Sequence, residues 1–348
     1  MTDVVVAPNQ RDLVDLATLL AGWLRDCMPD AKDVRVVDLD YPRGAGQSHE
    51  TILMDAEWTE AGEKRRQGLV LRIKPSSFTI YPDDLFHEQF QIMHVLHDAG
   101  TVPVARPLWF EADPALLGNP FFVMEKVVGR VPVSVPPYAQ TGWVAEATPQ
   151  QRRVMWEEGV RHLAAIQSAP IDQLGFLQGP PHARSGLEQE FDKYSRMVAW
   201  VQQDVPCPVL DRALSRLRET WPANRPAGVV WGDARLGNMM FGPDFHVVAV
   251  MDWEQASLGG ALNDLAWWVV NSELMHGAND TRGHLEGMGT RAETIALWES
   301  LTGISTQDLE WYEDFTRLKF SSLGVRMGFL RGQPTPDEAM LAKRLNVA

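Results

Sequence analysis

Cysteine is nearly absent: Cys27 and Cys207 are the only two in 348 residues. So few thiols cannot form a disulfide framework, and they suit a reduced compartment. No apolar run approaches the roughly 18 to 20 residues that span a bilayer. Met1 to Gln10 also lacks the basic segment and apolar core of a secretory leader. These absences predict a cytoplasmic protein with no membrane association. Basic residues are outnumbered, 32 Lys and Arg against 46 Asp and Glu, for a formal charge of −14. That balance argues against nonspecific nucleic-acid binding. Neither a P-loop nor a Gly-x-Ser-x-Gly elbow occurs. His87-Glu88 opens like a helical zinc motif, but position 91 is Gln and no Cys/His cluster lies elsewhere. Repeats and low-complexity tracts are lacking too. What remains is 45% hydrophobic and 9% aromatic, enough for two domains with substantial cores.

In the first third the pattern is helix then strands. Leu13, Leu16, Leu19, Leu20, Trp23 and Leu24 recur at helical spacing, predicting an amphipathic helix over about 10–28. Strands are expected at Val34–Val37, Glu50–Trp58, Gln67–Ile73, Pro107–Glu111 and Phe121–Val127. In the second of these Ile52, Met54, Ala56 and Trp58 share one face. The turn from Tyr41 to Ser48 holds Gly46 and Ser48, and a Gly-containing turn between paired strands can cover nucleotide phosphates, though plain hairpins have such turns too. Period two separates Arg72 and Lys74 from Leu71 and Ile73, and either base could reach phosphates, although a basic residue at a strand end is more often solvated surface. The segment Asp83 to Ala99 reads as a helix with Leu85, Ile92, Val95, Leu96 and Ala99 on its apolar stripe, and Glu88 falls on that stripe. A carboxylate there wants a cationic partner, and Arg72 is the candidate; Glu88 at the rim of the stripe is the plainer alternative. A Pro-rich passage, Val131 to Tyr138, then ends the alternation, and the lobe boundary is placed there. The backbone of Glu125 to Val127 is the candidate reader of an adenine edge.

Beyond Thr148 the pattern is mostly helical. A long helix ends before Ala169-Pro170, and others are expected at about 186–203, 208–220, 261–276, 282–301 and 306–332. Between the second and third of these lie two valine-rich runs, each ending in polar residues. One delivers Trp231-Gly232-Asp233-Ala234-Arg235-Leu236-Gly237-Asn238, the other Asp252-Trp253-Glu254. Asp233 and Asn238 match the Asp-x-x-x-x-Asn spacing in which Asp accepts a hydroxyl proton and Asn holds magnesium. Asp252 supplies a second oxygen ligand, enough for a hard cation that keeps waters and phosphate oxygens. Arg235 places a fixed positive charge where a phosphoryl group transfers. Asp264 caps a helix or accepts hydrogen bonds from the catalytic loop. Trp267, Trp268, Trp298 and Trp311 lie on expected helices, where core packing is the ordinary role and lining a substrate pocket the alternative for one of them.

With these residues in order, the chain resembles the aminoglycoside phosphotransferase-like family, which includes choline kinase-type small-molecule kinases. The matching set is Leu69-Val70-Leu71-Arg72, Glu88, Phe121 to Glu125, Trp231-Gly232-Asp233 through Asn238, and Asp252-Trp253-Glu254. The resemblance implies an α+β, bilobal protein-kinase-like fold: an antiparallel sheet of about five strands with one main helix over 1–127, binding nucleotide, and a helical lobe over 128–348 carrying the catalytic loop and substrate pocket. It implies Asp233 as base, Asn238 and Asp252 as magnesium ligands, Arg72 as phosphate anchor and Glu88 as its partner. The expected reaction is transfer of the γ-phosphoryl group of ATP, with GTP left open, to a small molecule's hydroxyl. A silent nucleotide-binding module and a metal-dependent phosphohydrolase are the alternatives. The chain departs from the family at Trp231, where His is usual and supports the loop, and at Arg72, where many kinases have Lys. The acceptor and the oligomeric state are not given by the sequence.

Overall fold

The computed structural model describes residues 11–42, 49–75, 79–179, 186–277 and 284–347. In chain order the elements are α1 (Leu13–Cys27), β1 (Lys32–Asp40), β2 (Glu50–Glu60), β3 (Glu63–Ile73), α2 (Phe86–Ala99), β4 (Pro107–Glu111), β5 (Phe121–Glu125), α3 (Trp143–Glu146) and α4 (Pro149–Ala165). There follow α5 (Leu187–Asp204), α6 (Pro208–Glu219), β6 (Met239–Phe241), β7 (Val247–Val250), α7 (Leu262–His276), α8 (Arg291–Thr302), α9 (Leu309–Leu330) and α10 (Glu338–Arg344). The class is α+β. The chain forms two compact units, residues 1–79 with 105–128, and residues 80–104 with 129–348.

In the smaller unit the five strands run antiparallel in the order β1-β2-β3-β5-β4. The period of two on β2 does what it predicts: Ile52, Met54 and Ala56 are buried together with Leu69, Leu71 and Ile73 of β3. Leu16, Leu20, Ala21 and Leu24 of α1 close over that face. The α1 start is fixed by Asp12, whose carboxylate accepts from the backbone of Val14 and Asp15. Trp23 donates to Glu111 Oε2 at 2.9 Å and packs edge-on to Phe121. On the other face Lys126 reaches Asp55 at 2.5 Å and holds that carboxylate below its usual range, helped by Arg66. Gly68 makes room for it, since a Cβ there would lie 2.6 Å from Lys126 Cε.

Three expectations are corrected. On α2 the buried side is Phe86, Gln89, Ile92, Met93 and Leu96; that phase turns Glu88 to a half-buried flank and leaves Ala99 exposed. The helix expected from 282 starts at Arg291, because Thr290 and Glu293 form a reciprocal capping box there. Gly287, at φ +94°, also breaks any helix before it. The strand expected to reach Val127 stops at Glu125.

The larger unit is helical apart from the hairpin β6–β7. Its centre is α7, buried on almost every side from Leu262 to Ser272. Among the described residues no helix is long and apolar enough to cross a membrane.

Candidate active site

The chain leaves Val229 and Val230, both buried, and turns at Gly232. Gly232 has φ +103°, and a Cβ on it would sit 2.5 Å from Gln255 Cβ and 2.8 Å from the Gln255 carbonyl. Only glycine lets the two loops approach this closely. Asp264, at the start of α7, takes the backbone N–H of Trp231 at 2.6 Å on one oxygen and that of Gly232 at 3.0 Å on the other. Its role is therefore to hold the loop. Trp231 is fully buried, and its indole N–H donates to the Met251 carbonyl at 2.7 Å while its ring packs on Trp253. The residue standing where the family usually has His thus ties the Asp233 loop to the Asp252 loop.

Asp233 is the hub. Its Oδ2 accepts from Arg235 Nε at 2.9 Å and Asn238 Nδ2 at 2.7 Å, and its Oδ1 from Trp267 Nε1 at 2.9 Å. Side chains 233 and 235 are 23% and 24% exposed, so the group is sheltered but reachable. Arg235 also donates to Ser134 Oγ at 2.8 Å. Burial works against its charge, but Asp233 beside it more than compensates and raises the guanidinium's pKa. Asn238 ends a short 3-10 turn, and its carbonyl accepts from Met251 N–H at 2.9 Å. Asp252 follows at φ +63°, a conformation Asp tolerates better than most residues. Asp233, Arg235, Asn238 and Asp252 are thereby drawn to one end of the hairpin. Because Asn238 donates through Nδ2, its Oδ1 is the atom left to face a cation, a donor that suits magnesium.

Elsewhere, Arg72 lies on β3, with Nη2 3.0 Å from His49 Nδ1. Glu88 is on α2, in the other unit. The Glu125 N–H is engaged by the Arg106 carbonyl at 2.9 Å, and the Glu125 side chain accepts from Gln67. Val127 follows β5. Gly46 and Ser48 lie outside the described residues.

Beneath the loops is a buried polar network that the periodicity did not reveal. Glu190 on α5 accepts from Lys319 Nζ at 2.9 Å and Ser257 Oγ at 2.7 Å, Lys319 also donates to Asn263 Oδ1, and Lys193 donates to the Gln255 carbonyl. Burial opposes the Glu190 charge, but Lys319 and Lys193 prevail and hold its pKa at about 2. Burial, with the neighbouring charge of Lys319, pushes Lys193 down against the pull of Glu190. A charged residue at a buried helical phase was the available signal, but pairing residues 129 positions apart required the fold.

Burial raises Asp264 from 3.8 to about 7, against the pull of its two backbone donors. A carboxyl whose folded value exceeds its unfolded one adds stability that is present below the unfolded value and lost as pH rises through the folded one. Between about pH 4 and 7 the wild type should therefore lose stability relative to Asp264→Asn, with parallel curves below that window. Urea titrations of both proteins across pH test this, and a constant difference would refute it.

Residues 55–303 match the model of the phosphotransferase enzyme family. Among curated relatives, an Arabidopsis thaliana protein named as an acyl-CoA dehydrogenase is 26% identical over 85% of this chain and 37% of its own length. Human acyl-CoA dehydrogenase family member 11 is 24% identical over 90% of this chain and 41% of its own. The chain thus spans about two fifths of these relatives. Among solved structures, one from Ralstonia eutropha described as an aminoglycoside phosphotransferase superposes with a TM-score of 0.66 at 23% identity, over 94% of both chains. A macrolide 2'-phosphotransferase type I superposes at 0.59 with 17% identity, over 99% of this chain and 98% of that one. These likenesses establish the fold, and the match over more than half its length establishes that the chain belongs to the phosphotransferase enzyme family.

Proposed function

We propose that this protein is an ATP- and magnesium-dependent kinase that phosphorylates a hydroxyl group on a small molecule. The observation that carries the reading is the convergence of Arg235, Asn238 and Trp267 on the Asp233 carboxylate, with Asp252 tied in through Met251. Asp233 is the base for the acceptor hydroxyl. Arg235, already charged beside it, is placed to meet the transferring phosphoryl group. Asn238 Oδ1 and Asp252 would hold the magnesium, which when bound neutralises charge on the phosphates. Among the described residues no group of three or more His, Cys, Asp or Glu gathers as a metal site, so the cation would take its remaining ligands from phosphate and water. To the smaller unit the reading assigns the nucleotide: Gly46, Ser48 and Arg72 for phosphates, and the backbone of Glu125 to Val127 for the adenine.

Among acceptors, a hydroxyacyl thioester is favoured over a cationic aminoglycoside. The charged side chain bonded to Asp233 is the cation Arg235, which suits an anionic substrate better than a polyamine. The acyl-CoA dehydrogenase names of the relatives point the same way.

Measuring ADP release with and without candidate alcohols tests the reading. Acceptor-dependent release is expected. Equal release without acceptor would indicate a phosphohydrolase, and none at all a silent binding module. In Asp252→Ala, calorimetric titration should lose the increment that magnesium adds to nucleotide binding, on the order of tenfold or more. An unchanged increment would remove Asp252 from the metal site.

A further inference from the structure

Trp267 and Trp268 are adjacent on α7 and both are buried, yet they do different things. The Trp268 ring packs against Gly159 of α4, where an added Cβ would lie 2.6 Å from Cη2. Trp267 faces the catalytic loop instead and donates its indole N–H to Asp233 Oδ1 at 2.9 Å. A carboxylate offers about four lone-pair positions, two on each oxygen. Among the described residues Oδ2 receives two donors, Arg235 Nε and Asn238 Nδ2, and so has its full share. Oδ1 receives one. The oxygen with acceptor capacity left is therefore the one that Trp267 holds.

We propose that Trp267 is a positioning residue that makes Asp233 Oδ1 the proton acceptor. This rests on the phosphotransfer reading above and deepens it. Asp233 Oδ1 takes the proton of the acceptor O–H as that oxygen bonds to the γ-phosphorus. The bond from that phosphorus to the β,γ-bridging oxygen breaks, and its electron pair leaves with the nucleoside diphosphate. The indole N–H fixes the carboxylate plane throughout, and Oδ2 keeps Arg235 and Asn238.

The test uses the full chain and two variants at position 267. Trp267→Phe keeps an aromatic ring and removes the donor. Trp267→Gln places an amide N–H the same number of bonds from Cα. Once wild-type turnover with an alcohol is established, Trp267→Phe should lower kcat by about 10- to 100-fold, the scale of a misplaced general base, with the nucleotide KM unchanged. Trp267→Gln should recover much of that loss. In the unliganded protein, the indole resonance that disappears in Trp267→Phe should also shift when Asp233 is replaced by Asn. Wild-type kcat in Trp267→Phe, no rescue by Gln, or an indole resonance indifferent to residue 233 would each overturn the proposal. A wild type that turns over no acceptor would overturn the phosphotransfer reading itself, and the resonance measurement still reports on the Trp267–Asp233 bond.

Discussion

Asp233→Asn should abolish most phosphoryl transfer, lowering kcat by about a thousandfold, within the range that a positioned base contributes. The expectation comes from the donors rather than from the motif alone. Three N–H groups, from Arg235, Asn238 and Trp267, point at the two oxygens of this carboxylate. An amide has the same shape but one acceptor oxygen, and its NH2 must face at least one of these donors. Arg235 loses its ion partner in the same change. Asn238 and Asp252 are untouched, so magnesium-dependent nucleotide binding should persist. The variant would thus bind and not turn over, a separation measured by nucleotide titration beside the ADP-release rate. Full turnover in the variant would remove Asp233 as the base, whatever the substrate.

Much of this was legible because the relevant signals are local. The alternation of Ile52, Met54 and Ala56 against Thr51, Leu53 and Asp55 announces a half-buried strand, and β2 follows it. The heptad-like leucines of α1 do the same for a helix laid on a sheet. In the catalytic stretch, Asp233, Arg235, Asn238 and Asp252 lie within 20 residues, so spacing alone brings them close once a hairpin intervenes. What periodicity cannot supply is direction on a helix buried all round. From Leu262 to Ser272 nearly every residue of α7 is inside, and no stripe distinguishes Trp267, which meets Asp233, from Trp268, which meets α4. The phase of α2 is hidden for a related reason: Gln89, a polar residue, occupies a buried position, while the apolar spacing from Leu85 points to Glu88 instead. Trp231 carried the opposite ambiguity. Sequence marks it as a departure, and only the fold shows its N–H bridging two loops.

The same buried polar chemistry that sequence could not pair carries the second large effect. Lys319→Met should destabilise the protein by about 3 to 5 kcal/mol, the usual cost of stranding one member of a buried ion pair. Lys319 and Glu190 are 2% and 1% exposed, so water cannot take over for the lost ammonium. Glu190 would keep Ser257 and the neighbouring charge of Lys193, and Asn263 Oδ1 would lose its donor. The double variant Glu190→Gln, Lys319→Met removes both charges and should recover a large part of the loss, because a buried pair is worth little against a neutral replacement while half of one is costly. Urea unfolding near neutral pH measures both. The pH dependence has a fixed sign: Glu190 titrates below its ordinary 4.5, so its contribution is complete above that value and is lost as pH falls through about 2. A consequence for the active site follows from connectivity. Ser257 bonds Glu190 through its side chain and pairs with Val230 through its backbone, and Val230 leads directly into Trp231-Gly232-Asp233. Loosening the pair should therefore lower the activation temperature window of turnover along with global stability, and a Lys319→Met protein as stable as wild type would show that the pair does not hold this floor.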